Sequence, residues 1–137
     1  MRTRSERGQT AVEFALVIPV MLLFILGIFQ IGSTYFNKES LQTAARDGAR
    51  AGAIHTGSTP AVIIQDAKDA VTANAVGLTT GSLTITVVGK DNPDAPNGVL
   101  WDQNDIVDVT VTYPWKIGVL AFSKSGTLTT HTWLRME

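Results

Sequence analysis

An apolar run with the length of a membrane span lies near the start of the chain. Residues 8–31 have the sequence GQTAVEFALVIPVMLLFILGIFQI. From Ala11 to Ile31 the run has about 20 residues, which at ~1.5 Å per residue matches the ~30 Å hydrocarbon core of a bilayer. The run therefore predicts a membrane-spanning helix. Because a proline removes one backbone donor, Pro19 predicts a modest kink in that helix.

Two polar side chains lie between residues 11 and 31. Gln30 is at the end where headgroups and water begin, and Glu13 is near the opposite end. An ionisable side chain inside a membrane segment indicates a functional role with a charged partner. A carboxylate in the first turn of a helix is also favoured by the helix dipole and would be well solvated at the headgroup boundary. The residues by themselves leave both interpretations of Glu13 open.

The residues before the run predict its orientation. Residues 1–7, MRTRSER, contain three arginines and one glutamate. Since such clusters stay on the cytoplasmic side, we expect a single-pass protein of the cytoplasmic membrane with a cytoplasmic N-terminus and an extracytoplasmic C-terminal domain. A secretory signal peptide has a shorter apolar core of ~7 to 15 residues, with its small-residue cleavage site just after it. The small residues 51–53 lie too far downstream for that, so we expect no cleavage after the run.

Length and composition exclude several classes of protein. With 137 residues, the chain has room for only one small domain beyond the membrane helix. Its formal net charge of -1 indicates no nucleic-acid partner, and the absence of cysteine excludes disulfides and thiol catalysis. We find no nucleophile elbow, phosphate-binding loop or HExxH motif, and therefore predict neither enzymatic activity nor a cofactor.

The helical pattern continues beyond the apolar run. Small and apolar residues recur at steps of three and four over residues 37–53, namely Leu41, Ala44, Ala45, Gly48, Ala49 and Gly52. This pattern predicts one continuous helix from about Thr10 to about Ala53, with its second half in water. A stripe of small residues lets another backbone approach closely, and we expect it to pack on the core of its own domain. A second helix is predicted over residues 61–76, with Pro60 in its first turn and Gly77 at its end.

The period changes to two in the second half of the chain. Alternating residues predict strands over 82–89, 106–113 and 127–135, the second of them ended by Pro114. Three strands and two helices predict an α+β fold, in which an antiparallel sheet packs on the membrane-distal half of the long helix. We therefore divide the chain into a basic leader (1–8), a transmembrane helix with its extension (9–55) and a small α+β extracytoplasmic domain (56–137).

Few residues of this domain indicate a metal-binding, catalytic or other binding role. The connection 90–105, KDNPDAPNGVLWDQND, has enough oxygen ligands for calcium, but it lacks the spacing of an EF-hand and favours an exposed loop. His55 and His131 occur singly and predict structural or surface residues. The three tryptophans, Trp101, Trp115 and Trp133, could form an adhesive outer surface or lie near headgroups, but packing in the core is the default expectation for each.

The string RGQTAVEF, from Arg7 to Phe14, resembles the processing site of type IV pilin-like proteins. Such a site has a short basic leader, a glycine, four residues, a glutamate and then an apolar helix. Together with residues 40–50, SLQTAARDGAR, the string is similar to the TadE-like family, the pseudopilins of tight adherence (Flp pilus) systems. Phe14 stands where relatives often have tyrosine.

This resemblance implies a pilin-like fold and a processing step. It implies that a prepilin peptidase cuts between Gly8 and Gln9 on the cytoplasmic side, leaving a new ammonium group one helical turn from Glu13. It further implies that Glu13, next to Phe14, pairs with a neighbouring subunit and sets the subunit register. The partners implied are the peptidase, other pilin or pseudopilin subunits, the pilus assembly platform and membrane lipid.

Three functions compete at this point. The first is a minor pilin or pseudopilin that takes part in pilus assembly, adhesion or secretion. The second is a stand-alone, single-pass membrane-anchored protein that binds a surface through Trp101 and the Asp-rich loop. An anchored enzyme is the third, and the absence of a recognisable catalytic set disfavours it.

Overall fold

The computed structural model describes residues 4–54, 58–119 and 122–137. In chain order these contain α1 (Arg4–Ile54), α2 (Pro60–Asn74), a short 3₁₀ helix (Thr80–Ser82), β1 (Thr84–Lys90), β2 (Ile106–Val119) and β3 (Phe122–Arg135). The predicted α+β fold, with a long N-terminal helix, a second helix and a three-stranded antiparallel sheet, is confirmed. The interpretation of His55 falls outside the described residues.

α1 is one helix of 51 residues that includes Pro19. Between Ala11 and Ile31 its side chains are exposed, apart from the half-buried Gly27 and Gln30. Within the described part of the chain, it is the one helix that is long and apolar enough to cross a membrane. None of its most apolar window is buried in the protein. A soluble core helix would bury such a surface, so this half of α1 is a candidate membrane span.

The second half of α1 lies in the core of the domain. All six residues of the predicted small-residue stripe are buried, as expected. A side chain on Gly48 would place its Cβ 2.9 Å from the backbone oxygen of Ala67 in α2. A side chain on Gly52 would place its Cβ 3.0 Å from a methyl group of Val107 in β2. The stripe therefore lets α1 approach both α2 and the sheet more closely than larger residues would permit.

α2 begins and ends near the predicted residues. Pro60 occupies its first turn, where a missing backbone donor costs nothing. Ile63, Ala67 and Val71 form its buried face. After the helix ends, Gly77 has a φ of +76°, in the left-handed region that glycine adopts most readily.

β2 is the central strand of the sheet, which has the order β1-β2-β3 with both pairs antiparallel. Its inward-facing Val107, Val109 and Val111 have no exposed surface. Val109 lies opposite Val87 on β1 and Thr132 on β3. Burying a valine or leucine side chain contributes about 1.5–3 kcal/mol, so this strand is a main source of stability.

The prediction that Pro114 ends the second strand is wrong. β2 continues to Val119, and β3 begins at Phe122 rather than Thr127, so the two strands form a long hairpin. β1 pairs with β2 only as far as Thr112. Beyond that point no described strand pairs with this edge of β2, and an unpaired edge is where a sheet tolerates proline.

The end of β3 returns to the end of α1. The backbone N–H of Met136 donates to the oxygen of Asp105 at 2.7 Å, and that of Glu137 donates to the oxygen of Ala53 at 3.4 Å. Met136 is 1% exposed. The start of β2 therefore lies near the end of α1, and β2 runs back along the helix in the opposite direction.

Substituting Gly48 with alanine tests the close contact between α1 and α2. Its Cβ would lie 2.3 Å from the Val71 Cγ2 methyl group as well as near the Ala67 backbone. Overpacking of this kind costs about 1–3 kcal/mol, so we expect Gly48→Ala to lower the thermal unfolding temperature of the detergent-solubilised full chain by several degrees. Gly32→Ala, where an added Cβ meets nothing within 4 Å, is the matched control and should unfold at the wild-type temperature or slightly above it, since alanine favours a helix. Equal unfolding temperatures for the two variants would contradict this packing.

Candidate processing and assembly site

The residues of the predicted processing site all lie on the first turns of α1. Gly8, Gln9, Glu13 and Phe14 are exposed. Gln9 and Glu13 are four residues apart and therefore share one face of the helix. The side-chain amide of Gln9 donates to Glu13 Oε1 at 3.2 Å. The structure thus brings together the residue that would carry the new N-terminus and the carboxylate predicted to pair with such a group.

The glycine at position 8 is not required by the fold. An added Cβ at Gly8 would meet nothing within 4 Å, in contrast to the crowded Gly48. Glycine also costs a helix about 1 kcal/mol relative to alanine, and helix ends fray. The peptide bond after Gly8 is therefore in a part of α1 that unwinds at little cost, and its backbone is open to close approach by another protein.

The apolar surface that follows is continuous. Large side chains such as Phe14, Leu16, Phe24 and Phe29 are each more than half exposed. Such a surface suits the hydrocarbon of a bilayer or the apolar helices of neighbouring subunits. Glu13 lies at its beginning, one helical turn beyond Gln9, so a carboxylate placed there would enter either environment together with the apolar surface.

In the acidic loop over residues 90–105, carboxylate oxygens accept hydrogen bonds from the backbone of the loop itself. Asp91 Oδ2 accepts the N–H of Gly98 at 2.8 Å, and Asp105 Oδ2 accepts the N–H of Asp102 at 2.9 Å. No group of three or more His, Cys, Asp or Glu side chains is placed to hold a metal ion in the described ranges. These carboxylates act as turn-forming groups in the loop over residues 90–105.

The tryptophans occupy three different environments. Trp101, with a φ of 73°, packs against the core over Gly89, where an added Cβ would collide with the indole ring. Trp115 is half-buried opposite Gly126 on β3. The expectation of a core position is wrong for Trp133, which is 60% exposed because it lies on the outer face of the sheet.

Sequence reasoning missed one charged cluster. Asp108, on the solvent side of β2, is 5% exposed although its neighbours along the strand on that face are not buried. Lys90 on β1 forms an ion pair with its Oδ2 atom, and the imidazole of His131 on β3 contacts Oδ1. Alternation along each strand predicts the face that these residues occupy. Their meeting depends on the register between three strands, which alternation does not determine.

The cluster keeps Asp108 ionised. Burial by itself would raise the pKa of this carboxyl, but hydrogen bonding and charge from Lys90 and His131 outweigh it, so the pKa lies below its ordinary value. We interpret this arrangement as a cluster of cross-strand ion pairs that stabilises the pairing of the three strands.

Measuring the free energy of unfolding as a function of pH tests the contribution of this cluster. The pKa of Asp108 in the folded state is lower than its ordinary pKa of 3.8. The carboxylate therefore contributes to stability at pH values above 3.8, and this contribution is lost as the pH falls through the folded-state pKa. We expect Asp108→Asn to unfold at lower urea concentration than the wild type near neutral pH, with the difference disappearing in strong acid. Glu39→Gln, at an exposed carboxylate on α1, is the control and should leave the pH profile unchanged. A constant difference across the titration would show that Asp108 contributes only through packing.

One family model matches the first part of the chain. Residues 8–50 match the model of a family described as TadE-like protein, over about a third of the chain. The match includes Gly8, Gln9, Glu13, Phe14 and the small-residue stripe as far as Ala49, and it confirms the resemblance found in the sequence. No curated protein and no solved structure is significantly similar to the chain.

Proposed function

Because residues 8–50 are a TadE-like segment, we propose that the protein is a minor pilin or pseudopilin of a tight adherence (Flp) pilus system. A prepilin peptidase removes its leader between Gly8 and Gln9. The processed protein then joins other pilin or pseudopilin subunits at the pilus assembly platform and contributes to assembly, adhesion or secretion.

The main support for this proposal is the pairing of Gln9 with Glu13 at the start of an exposed apolar helix. Cleavage after Gly8 would turn the backbone nitrogen of Gln9 into an ammonium group. That charge and the Glu13 carboxylate would then lie on the same turn of α1, where the apolar surface begins. Cleavage would therefore place both halves of an ion pair at one level of the helix.

Assembly into a bundle of helices would make this ion pair stronger. While the helix is in the membrane, both groups lie at the headgroup boundary and are hydrated. Once several apolar helices pack side by side, water is removed and an unpaired charge becomes costly, whereas pairing with a neighbour's opposite charge offsets much of that cost. Only one axial offset between two helices pairs the ammonium of one subunit with Glu13 of the next. The pair would therefore set the register of the subunits.

The basic leader is consistent with this order of events. Arginines on the cytoplasmic side hold the N-terminus there, which places the Gly8–Gln9 bond within reach of a membrane peptidase. Removal of the leader also removes its positive charges. The helix would then end in a single ammonium group that can leave the headgroup region and enter a helix bundle more easily.

One observation favours a second function, that of an anchored surface-binding protein. Trp133 is 60% exposed, and Val99 and Leu100 in the loop before β2 are 53% and 51% exposed. Exposed aromatic and aliphatic side chains are common at binding surfaces. This function requires no processing at Gly8, so the cleavage experiment separates the two.

Processing is tested by expressing the full chain with and without its cognate prepilin peptidase and measuring the intact mass and the N-terminal residue. We expect a peptidase-dependent N-terminus at Gln9, and we expect Gly8→Ala to abolish it because the added side chain blocks close approach to the scissile bond. Gly32→Ala, which also meets nothing within 4 Å, is the matched control and should be cleaved normally. An intact Met1 in both strains would instead favour the anchored surface-binding protein.

Assembly is tested with Glu13→Gln, which preserves the shape of the side chain and removes its charge. We expect this variant to be cleaved but not to enter the filament fraction, because leaving one partner of a buried pair uncompensated costs about 3–5 kcal/mol. Glu39→Gln removes an exposed carboxylate from the same helix, beyond the apolar run, and should assemble normally. Normal incorporation of Glu13→Gln, measured by co-purification with the other subunits, would remove the register role.

A further inference from the structure

The tip of the hairpin between β2 and β3 lies against α1 at the end of its apolar half. We call residues 116–118 and 122–124 the hairpin tip. The side-chain amide of Gln30 donates to the backbone oxygen of Gly118 at 2.8 Å. Ile31 and Thr34 on α1 line the space next to Ile117. The tip is therefore held at the level of Gln30, far from the core of the domain.

The hairpin of β2 and β3 extends beyond Gly118 toward the apolar half of α1. At the opposite end of the domain, the residues around Asp105 lie next to Ala53. Between these two levels there are roughly 34 Å of helix and roughly 41 Å of strand, so the hairpin runs along α1 with a moderate tilt. Each further residue of the hairpin advances about 3 Å along α1. Phe122, one pair beyond Gly118, therefore reaches about the level of Ile28, within the apolar run.

The side chains of the hairpin tip suit an interface between lipid and water. Phe122 is 84% exposed, the highest value among the large apolar residues that the structure describes, and Ile117 beside it is half-buried. Lys116 and Lys124, both exposed, lie farther from the apolar run than Phe122 does. An apolar end followed by lysines matches the order of acyl chains and phosphate groups in a leaflet, since lysine stems extend along apolar surface toward the headgroups.

The facing surface of α1 has the same arrangement. Tyr35 is 64% exposed, and Lys38 lies next to it on the hairpin side. Both follow the apolar run by one or two helical turns. Tyrosine and lysine are typical of the zone where a membrane helix leaves the hydrocarbon. The hairpin tip and α1 therefore place aromatic and basic residues at one common level.

From this arrangement we propose that the hairpin tip inserts into the leaflet at which the apolar half of α1 ends. Phe122 enters the boundary of the acyl chains, while Lys116 and Lys124 bind lipid phosphates. This inference requires α1 to span the membrane but does not require processing or filament assembly. The inserted tip is a second anchor, which holds the sheet in one orientation relative to the membrane.

The chain is well suited to a direct test because it contains no cysteine. A single cysteine at position 122 can carry an environment-sensitive fluorophore in the full chain, reconstituted at one copy per nanodisc. Phe122 is so exposed that its replacement removes no core contact. Lipids with a quencher on the acyl chain then report contact with the hydrocarbon. One copy per disc prevents a second chain from covering the label.

Two other positions provide matched references. Phe24→Cys, on the apolar half of α1, reports whether the helix lies in the bilayer. Thr129→Cys lies on the same strand as Phe122, exposed and well above the tip. We expect the label at position 122 to lose fluorescence nearly as strongly as that at position 24, and the label at position 129 to remain unquenched.

The outcomes are distinguishable. Quenching at position 24 with none at position 122 would overturn the insertion of the hairpin tip and leave the membrane span intact. Quenching at neither position would overturn the membrane span and the insertion together. Adding Gln30→Ala should weaken quenching at position 122 without changing it at position 24, because it removes the amide that holds Gly118. Unchanged quenching at position 122 in that variant would contradict the role of Gln30 in setting the depth of the tip.

Discussion

Alanine and glycine on one face of α1 are in contact with both α2 and the central strand of the sheet. Gly48 lies against the backbone of α2, and Gly52 lies against Val107. Because these residues carry little or no side chain, three elements meet at short distance and leave little space between them. The position of the sheet, and with it the direction of the long hairpin, depends on this contact.

The same helix faces two different surroundings. Its first half exposes large apolar residues such as Phe24, whereas its second half buries small ones such as Ala45. Large apolar side chains fill space among mobile lipid chains or neighbouring helices, and small ones let a folded domain pack tightly. A single uninterrupted helix therefore connects the domain directly to the candidate membrane span, so an axial shift of one half moves the other with it.

Two carboxylates show how position decides the role of a charge. Asp108 lies between Lys90 and His131 within one chain, and its charge is compensated by the fold. Glu13 is exposed, and among the residues that the structure describes it accepts a hydrogen bond from the uncharged amide of Gln9. A charge compensated within the chain stabilises the fold. A charge without a cationic partner beside an apolar surface is available to a partner that assembly supplies, which is the basis of the proposed register.

The sequence by itself determined the elements whose pattern is local. The length of the apolar run, the small-residue stripe and the alternation of the strands each depend on neighbours a few residues away, so the long helix, the buried face of α1 and the sheet could be predicted. The resemblance to a processing site could be recognised as well, because its glycine, glutamate and leader lie close together in the chain.

Tertiary structure decided whatever depends on pairing between distant segments. Pro114 is tolerated because β1 ends before it, and the Asp108 cluster exists because three strands share one register. Gln30 meets Gly118 only because the hairpin runs back along α1. Local patterns determine which face of an element is apolar, but only packing determines which distant residue lies opposite it.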